Sequence, residues 1–271
     1  MKDKSLSRKL SCLEKNIKSL NSCLVAFSGG VDSSFLLKIA SDILKDKAIA
    51  VTLKTFFIAD KEIEEARNIS NAMGVKHIIL SVDFTRNRKF LNNTPNRCYW
   101  CKRKIFKKLK DIANRCGMDT VVDGTTFDDV NDYRPGLRAI KELKVNSPLK
   151  DAKILKSEVR LLSRRMKLPF WNKPSTTCLC SRIPFGEKVT LSRIKRIEKA
   201  EILLRSLLGG NTIFRLREHK DFARIEIEKK KIGYFLRHKN LDKLTRSLKK
   251  IGYRYITLDL EGYKAGGNFR M

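Results

Sequence analysis

The stretch CLVAFSGGVDSS, residues 23–34, restricts the fold of this chain more than any other part of it. A short apolar run ends at Gly29-Gly30, and Val31, Phe35, Leu36 and Ile39 then follow at helical spacing. That order reads as a buried strand, a glycine turn and a helix. The same alternation continues with a strand at 47–54, a helix at 60–74 closed by Gly74, a strand at 77–83, a basic helix after Cys101 and a strand at 120–125. Strands that alternate with helices predict a mainly parallel α/β sheet covered on both faces, with ligands at the carboxyl ends of the strands. Beyond Pro184 and Gly186 the pattern changes to a helix at 191–208, alternating runs at 212–218 and 221–228, a helix at 241–252 and a last strand at 253–260. This predicts a smaller α+β domain with an antiparallel sheet, so the expected domains are 1–185 and 186–271.

Charge and cysteine usage narrow the class. With 59 Lys+Arg against 29 Asp+Glu the net charge is +30. Such an excess points to a polyanionic partner, nucleic acid first. It is spread along the chain, with 22 basic against 10 acidic residues in 186–271, so a lysine-rich solvated surface beside a phosphorylated substrate fits equally well. The N-terminal MKDKSLSRKLSCLEKN holds no signal-like apolar run, and no segment is long enough to span a bilayer; a cytoplasmic protein without a membrane partner is expected. In such a compartment seven cysteines, an odd number, are thiols, metal ligands or nucleophiles before they are disulfides. Cys12, Cys23 and Cys116 lie among apolar residues and read as small core hydrophobes. Cys98-x-x-Cys101 fits a redox pair, a zinc half-site or a cluster half-site, and with Cys178 and Cys180 it would make the four thiolates of a tetrahedral zinc site.

In FSGGVDSS the two glycines let the backbone approach an anion, while Ser28, Ser33, Ser34 and the N–H groups of the helix start can donate to phosphate. No Gly-Lys-Ser/Thr ending follows, so this is not a Walker A loop. The string resembles the SGGxDS loop of the PP-loop ATP pyrophosphatases, which split ATP between its α and β phosphates. That resemblance implies ATP with Mg2+, phosphate held by Ser28, Gly29, Gly30, Ser33 and Ser34, and Asp32 as a Mg-linked or catalytic residue. It also gives meaning to DGTTFDDVNDYRPG, residues 123–136, which follows the fourth strand. At a rim expected to carry ATP, Asp128, Asp129 and Asp132 become candidates for metal or nucleotide contacts and Arg134 for opposing phosphate.

The strings SGGVDSS, DGTTFDDVNDYRPGLRA, SPLKD, WNKPSTTCLCSRIPFGEKVT, RLRE with ARIEIE, and LDLEGYKAGGN occur in one order from Ser22 to Asn268. In that order the chain resembles the LarE family of ATP-dependent sulfur transferases. The resemblance implies adenylation of a carboxylate of pyridinium-3,5-biscarboxylic acid mononucleotide and its conversion to a thiocarboxylate, in nickel-pincer nucleotide synthesis. It makes Cys178 the sulfur-bearing residue, with Arg182 and Lys173 favouring its thiolate. Arg215 and Arg217, which share one face of a strand, are implied to bind the substrate phosphate or AMP. Glu226 is a Mg ligand candidate beside Glu228, although a cross-strand salt bridge to the arginines fits the spacing equally, and Glu201 is a weaker carry-over.

Family members that carry the CxxC as well imply a 4Fe-4S cluster on Cys98, Cys101 and Cys178, with an open iron supplied by a sulfide donor; members without it give up the sulfur of the single cysteine. Cys180 departs from the family, where a small residue is usual, and Phe127 and Lys264-Ala265 depart as well. A homo-oligomer, commonly a hexamer, is also implied. A tRNA thiolase of the same superfamily and a non-catalytic nucleic-acid-binding protein are the competing readings, the second leaving SGGVDSS unexplained.

Overall fold

The four residues Cys23, Leu24, Val25 and Ala26 form the strand on which the first unit is built. A computed structural model describes residues 2–131, 135–209, 212–237 and 239–264. In chain order the elements of its first part are α1 (Lys2–Lys18), β1 (Cys23–Ala26), α2 (Val31–Leu44), β2 (Ala48–Lys54), α3 (Asp60–Ala72), β3 (His77–Ser81), α4 (Arg88–Leu91), α5 (Arg97–Arg115), β4 (Thr120–Val122), α6 (Pro135–Glu142), α7 (Pro148–Asp151) and α8 (Lys156–Arg165). The second part has α9 (Leu191–Leu208), β5 (Phe214–His219), β6 (Phe222–Ile227), α10 (Ile232–Leu236), α11 (Leu241–Ile251) and β7 (Tyr255–Leu258). Among the described residues no helix is long and apolar enough to cross a membrane.

The chain forms two compact units, one of Met1–Asp83 with Asn96–Thr176 and one of Phe84–Pro95 with Thr177–Met271. In the first, the expected parallel sheet is present in the order β3-β2-β1-β4. Alternation along β1 divides two cores. Cys23 and Val25 pack with Ala48 and Ala50 against Leu13, Ile17, Phe35 and Val159. Leu24 packs on the opposite face with Ile49, Val51, Phe106, Leu109 and Ile112. Because β2 and β4 flank β1 on opposite edges, strand order reverses there, and the chain opens a crevice at the carboxyl ends of β1 and β4.

The short segment 84–95 joins the second unit through specific bonds. Asn93 Nδ2 donates to the carbonyls of Ile183 at 3.3 Å and Pro184 at 2.7 Å, and Gly186 N and Val189 N donate back to Asn93 O and Leu91 O. The second sheet has the order β5-β6-β7. Its β5–β6 pair is antiparallel as expected, but β6–β7 is parallel. The cause is the connection: α10 and α11 carry the chain back to the starting end of the sheet, as a crossover between parallel strands must.

One core position responds to pH. His77 opens β3 with Nε2 2.7 Å from Thr52 Oγ1 and Nδ1 2.8 Å from Ser70 Oγ, and its ring meets Phe27 edge-on. Thr52 donates to the Phe27 carbonyl, so it is left to accept from Nε2–H. Burial, and then the nearby charge of Arg67, pull the imidazole pKa down to about 4. The folded state therefore binds fewer protons than the unfolded chain below pH 6.5. Stability is fully present above that pH and is lost as pH falls through 4. Denaturant unfolding at several pH values should show a stability difference between the parent and His77→Gln that is largest above pH 6.5 and shrinks toward pH 4; a constant difference would contradict a neutral buried imidazole.

Candidate active site

β1 delivers the nucleotide loop to the crevice. Gly29 has φ +67°, and a Cβ there would stand 2.9 Å from Ala66 Cα of α3, so both its conformation and its surroundings require glycine. Ser33 Oγ accepts from Ser28 N at 3.3 Å, meets Ser28 Oγ at 3.1 Å and lies 3.2 Å from the Gly30 carbonyl, which ties the loop to the first turn of α2. Gly30, the N-cap of this 14-residue helix, makes no side-chain cap bond, so the helix start keeps backbone donors for an anion. Among the described residues Ser34 Oγ, in the first turn of α2, is buried without a hydrogen-bond partner.

The loop after β4 closes the other side. A Cβ at Gly124 would lie 2.9 Å from Ser33 N, so this backbone touches the start of α2. Asp123 accepts from Ser147 Oγ at 2.7 Å and from Thr125 Oγ1, which fixes it as a loop organiser. Asp129 is buried and accepts from Thr126 N at 3.0 Å, Thr126 Oγ1 at 2.9 Å and Lys156 Nζ; Asp128 accepts from Lys156 N at 3.3 Å. Asp132 and Arg134 lie outside the described residues. In the first turn of α2, burial raises the Asp32 pKa to about 6; Lys156 and Arg160 oppose the rise, while Asp129 and Asp128 add to it. A divalent cation would relieve this carboxylate surplus. Mg2+ needs only one or two carboxylates when phosphates complete its shell, so Asp32 and its acidic neighbours fit it.

Lys156, Arg160 and Lys173 were not legible as parts of this site. Lys156 and Arg160 lie on α8, whose sequence carries only the periodicity of a surface helix. Lys173 donates to Gly29 O at 2.8 Å and pairs with Glu65 at 2.7 Å, so it straps the nucleotide loop to α3.

The second unit holds Cys178, the residue expected to bear sulfur. Cys178 is the N-cap of a 3-10 turn, Leu179–Arg182, and is half-buried, whereas Cys180 is completely buried. The turn is organised by the buried Arg182. Its Nη1 is shared among Thr177 O at 2.8 Å, Thr177 Oγ1 at 2.7 Å, Ser181 Oγ at 2.9 Å and Cys178 O at 3.2 Å. Its Nε and Nη2 form a two-pronged bond with Glu201 of α9, at 2.9 and 3.0 Å. Burial alone would push the Glu201 pKa up, but Arg182 and the Leu216 N–H hold it below the usual carboxylate range. Glu201, a weak candidate by sequence, thus links the cysteine turn to both α9 and β5.

Arg215 and Arg217 share a strand face as expected. Burial, followed by repulsion from Arg182, lowers the Arg215 pKa; its guanidinium stacks 5.1 Å from the Tyr263 ring. Arg217 donates to Ser181 O at 2.7 Å and to Glu226 Oε1 at 3.0 Å, which is the cross-strand salt bridge allowed by the spacing. Among the described residues Glu226 Oε2 is nevertheless buried with no hydrogen-bond partner, and so remains an oxygen donor for a cation. Glu228 accepts from Ile213 N at 2.8 Å and serves the turn.

Cys98 and Cys101 stand one turn apart on the first turns of α5, both half-buried. The i, i+3 spacing puts them on one helix face, as a two-thiolate half-site requires. Among the described residues no group of three or more His, Cys, Asp or Glu side chains is gathered to hold a metal.

Comparison with known proteins bears on the family of the chain. Residues 22–94 match the family described as queuosine biosynthesis protein QueC. A pyridinium-3,5-bisthiocarboxylic acid mononucleotide synthase of Lactiplantibacillus plantarum is 37% identical over 263 residues, which cover 97% of this chain and 94% of the relative. An uncharacterised protein of Synechocystis is 38% identical over 96% of this chain and 97% of its own length. A tRNA-specific 2-thiouridylase of Desulforamulus reducens is 24% identical over 58% of this chain and 54% of the relative. With the higher identities sustained over nearly the whole length, the chain belongs to the LarE family of ATP-dependent sulfur transferases, built on a PP-loop domain.

Proposed function

We propose that this protein adenylates a carboxylate of pyridinium-3,5-biscarboxylic acid mononucleotide and converts it to a thiocarboxylate. The observation that carries the reading is the Cys178 turn, fixed by a buried guanidinium that is itself locked to Glu201, in a chain that also holds an SGGVDSS loop at a helix start. The carboxylate oxygen attacks the α phosphorus of ATP, the bond to pyrophosphate breaks, and an acyl adenylate forms. In this reading the backbone N–H groups of α2 and the Ser34 hydroxyl hold phosphate, and Asp32 would hold Mg2+, which would offset the charge of the departing pyrophosphate. The Cys178 thiolate attacks the acyl carbon and AMP leaves, giving a thioester. Loss of the Cys178 Cα proton and breakage of its Cβ–S bond then release the thiocarboxylate and leave dehydroalanine. Arg215 and Arg217 are the cations for the substrate phosphate.

The half-site on α5 supports a second mode of supply: Cys98, Cys101 and Cys178 would hold a 4Fe-4S cluster, which would supply the sulfide and spare the cysteine. Iron and acid-labile sulfide measured on anaerobically purified protein distinguish the modes. Iron with sulfide that is lost in Cys98→Ser supports the cluster; their absence, with a loss of about 34 Da from Cys178 after one turnover, supports sacrifice of the cysteine.

Cys178→Ser should reduce thiocarboxylate formation to background while pyrophosphate release from ATP with the dicarboxylate stays within a few fold. Retained sulfur transfer would remove Cys178 from the mechanism. Glu201→Gln leaves the Arg182 charge buried without its counter-ion and should destabilise the second unit by about 3–5 kcal/mol in denaturant unfolding. At concentrations where this variant stays folded, sulfur transfer should fall further than pyrophosphate release, since Glu201 acts on the cysteine turn; an equal fall in both would argue against that role.

A further inference from the structure

A groove of about 450 Å³ in the second unit is lined by Ser192, Arg193, Lys195, Arg196 and Lys199 of α9 with Lys250 and Ile251 of α11. It lies outside the residues assigned above to sulfur transfer. Positions 192, 195, 196 and 199 fall at i, i+3, i+4 and i+7, so α9 presents one continuous face to the groove. The two arginines are held from below. Glu218, fully buried, accepts from Arg193 Nε at 2.5 Å, Arg196 Nε at 2.9 Å and Tyr253 OH at 2.9 Å. Arg193 is also bound to Glu187 at 2.6 Å, and Arg196 stacks over the Tyr253 ring at 4.9 Å. The three lysines have no such counter-charge: among the described residues no ion pair joins Lys195, Lys199 or Lys250 to a carboxylate. The cationic surface continues beyond the groove, because Lys243 and Arg246 are spaced i, i+3 and i+7 with Lys250 on α11.

An ordinary solvated helix face intersperses both signs. Here two helices converge cations on one concavity, on a framework kept rigid by a buried carboxylate. Like charges gathered in this way raise one another's energy until an anion arrives. Several anionic groups in series match the strip along α11 better than a single small ion does. The lining offers no exposed aromatic ring on which a base would stack, so recognition would rest on phosphates and be indifferent to sequence.

We propose that the α9–α11 groove binds the phosphodiester backbone of a nucleic acid, as an activity separate from sulfur transfer.

The test is binding of a fluorescein-labelled 20-nucleotide single-stranded RNA to the full chain across a series of salt concentrations. The triple variant K195E/K199E/K250E is compared with K4E/K15E/K18E on α1, which changes net charge by the same amount at exposed lysines elsewhere. The groove variant should bind at least 10-fold more weakly, and its log–log salt slope should be shallower by about 2, the value for three lost contacts to a single strand. The α1 variant should stay within about 2-fold of the parent. The neutral variant K195Q/K199Q/K250Q should lie between parent and groove variant, and pyrophosphate release from ATP, unchanged in all three, should show that each is folded. Equal weakening by both charge-reversed triples would assign binding to diffuse net charge and overturn the proposal. So would unchanged binding in the groove variant, or full displacement of the RNA by equimolar inorganic pyrophosphate.

Discussion

Strand β1 is hydrogen-bonded along both edges, to β2 and β4, and covered on both faces by apolar side chains. The chain can leave it only at its carboxyl end, and that exit is crowded. On one side the Gly29 backbone lies against Ala66; on the other, Gly124 lies against Ser33 N. A loop confined in this way cannot relax around a ligand, so its donors stay aimed at one place before anything binds. The remaining parts of the first unit answer to that confinement: Lys173 straps the loop from above, and the acidic turn after β4 brings its charge to the base of α2.

The second unit solves a different problem. Arg182, Arg215, Arg217, Glu201, Glu218 and Glu226 are all nearly or fully removed from water in a unit of modest size. Isolated charges of this kind are expensive to bury, and pairs often do no more than break even against an apolar core. Their arrangement makes sense as position control. A guanidinium with one prong on a carboxylate and the other on backbone carbonyls can hold a turn in one conformation, where a hydrophobic contact would permit several.

Much of this was legible in the sequence, for physical reasons that differ by element. Alternation in CLVA and AIAVTLK exposes a doubly covered sheet because strand side chains point to opposite faces every second residue. The role of Gly29 is readable because few other residues adopt its conformation. The direction of β7 was not readable, since its pairing depends on the path of α10 and α11 and not on any local pattern. The membership of 84–95 in the second unit depends likewise on Asn93 reaching carbonyls 90 and 91 residues away. Lys156 looks like any surface lysine until the fold places a carboxylate in front of it, and the sequence around Lys173 gives no sign of its bond to the Gly29 carbonyl. The resemblance to a family supplied Cys178 and Glu201, but the brace that joins them through Arg182 spans 19 residues without a periodicity to announce it.

The unequal burial of Cys178 and Cys180 has a consequence for the lifetime of the protein. Two sulfur atoms separated by one leucine meet oxidants in solution on quite different terms, because Cys180 is sealed in the interior of the unit and Cys178 is not. Of these two, Cys178 will therefore meet peroxide first, while Cys180 is shielded from it. If Cys178 carries the sulfur as proposed, a sulfenic acid there would remove the transferring group while the buried turn around it stays folded.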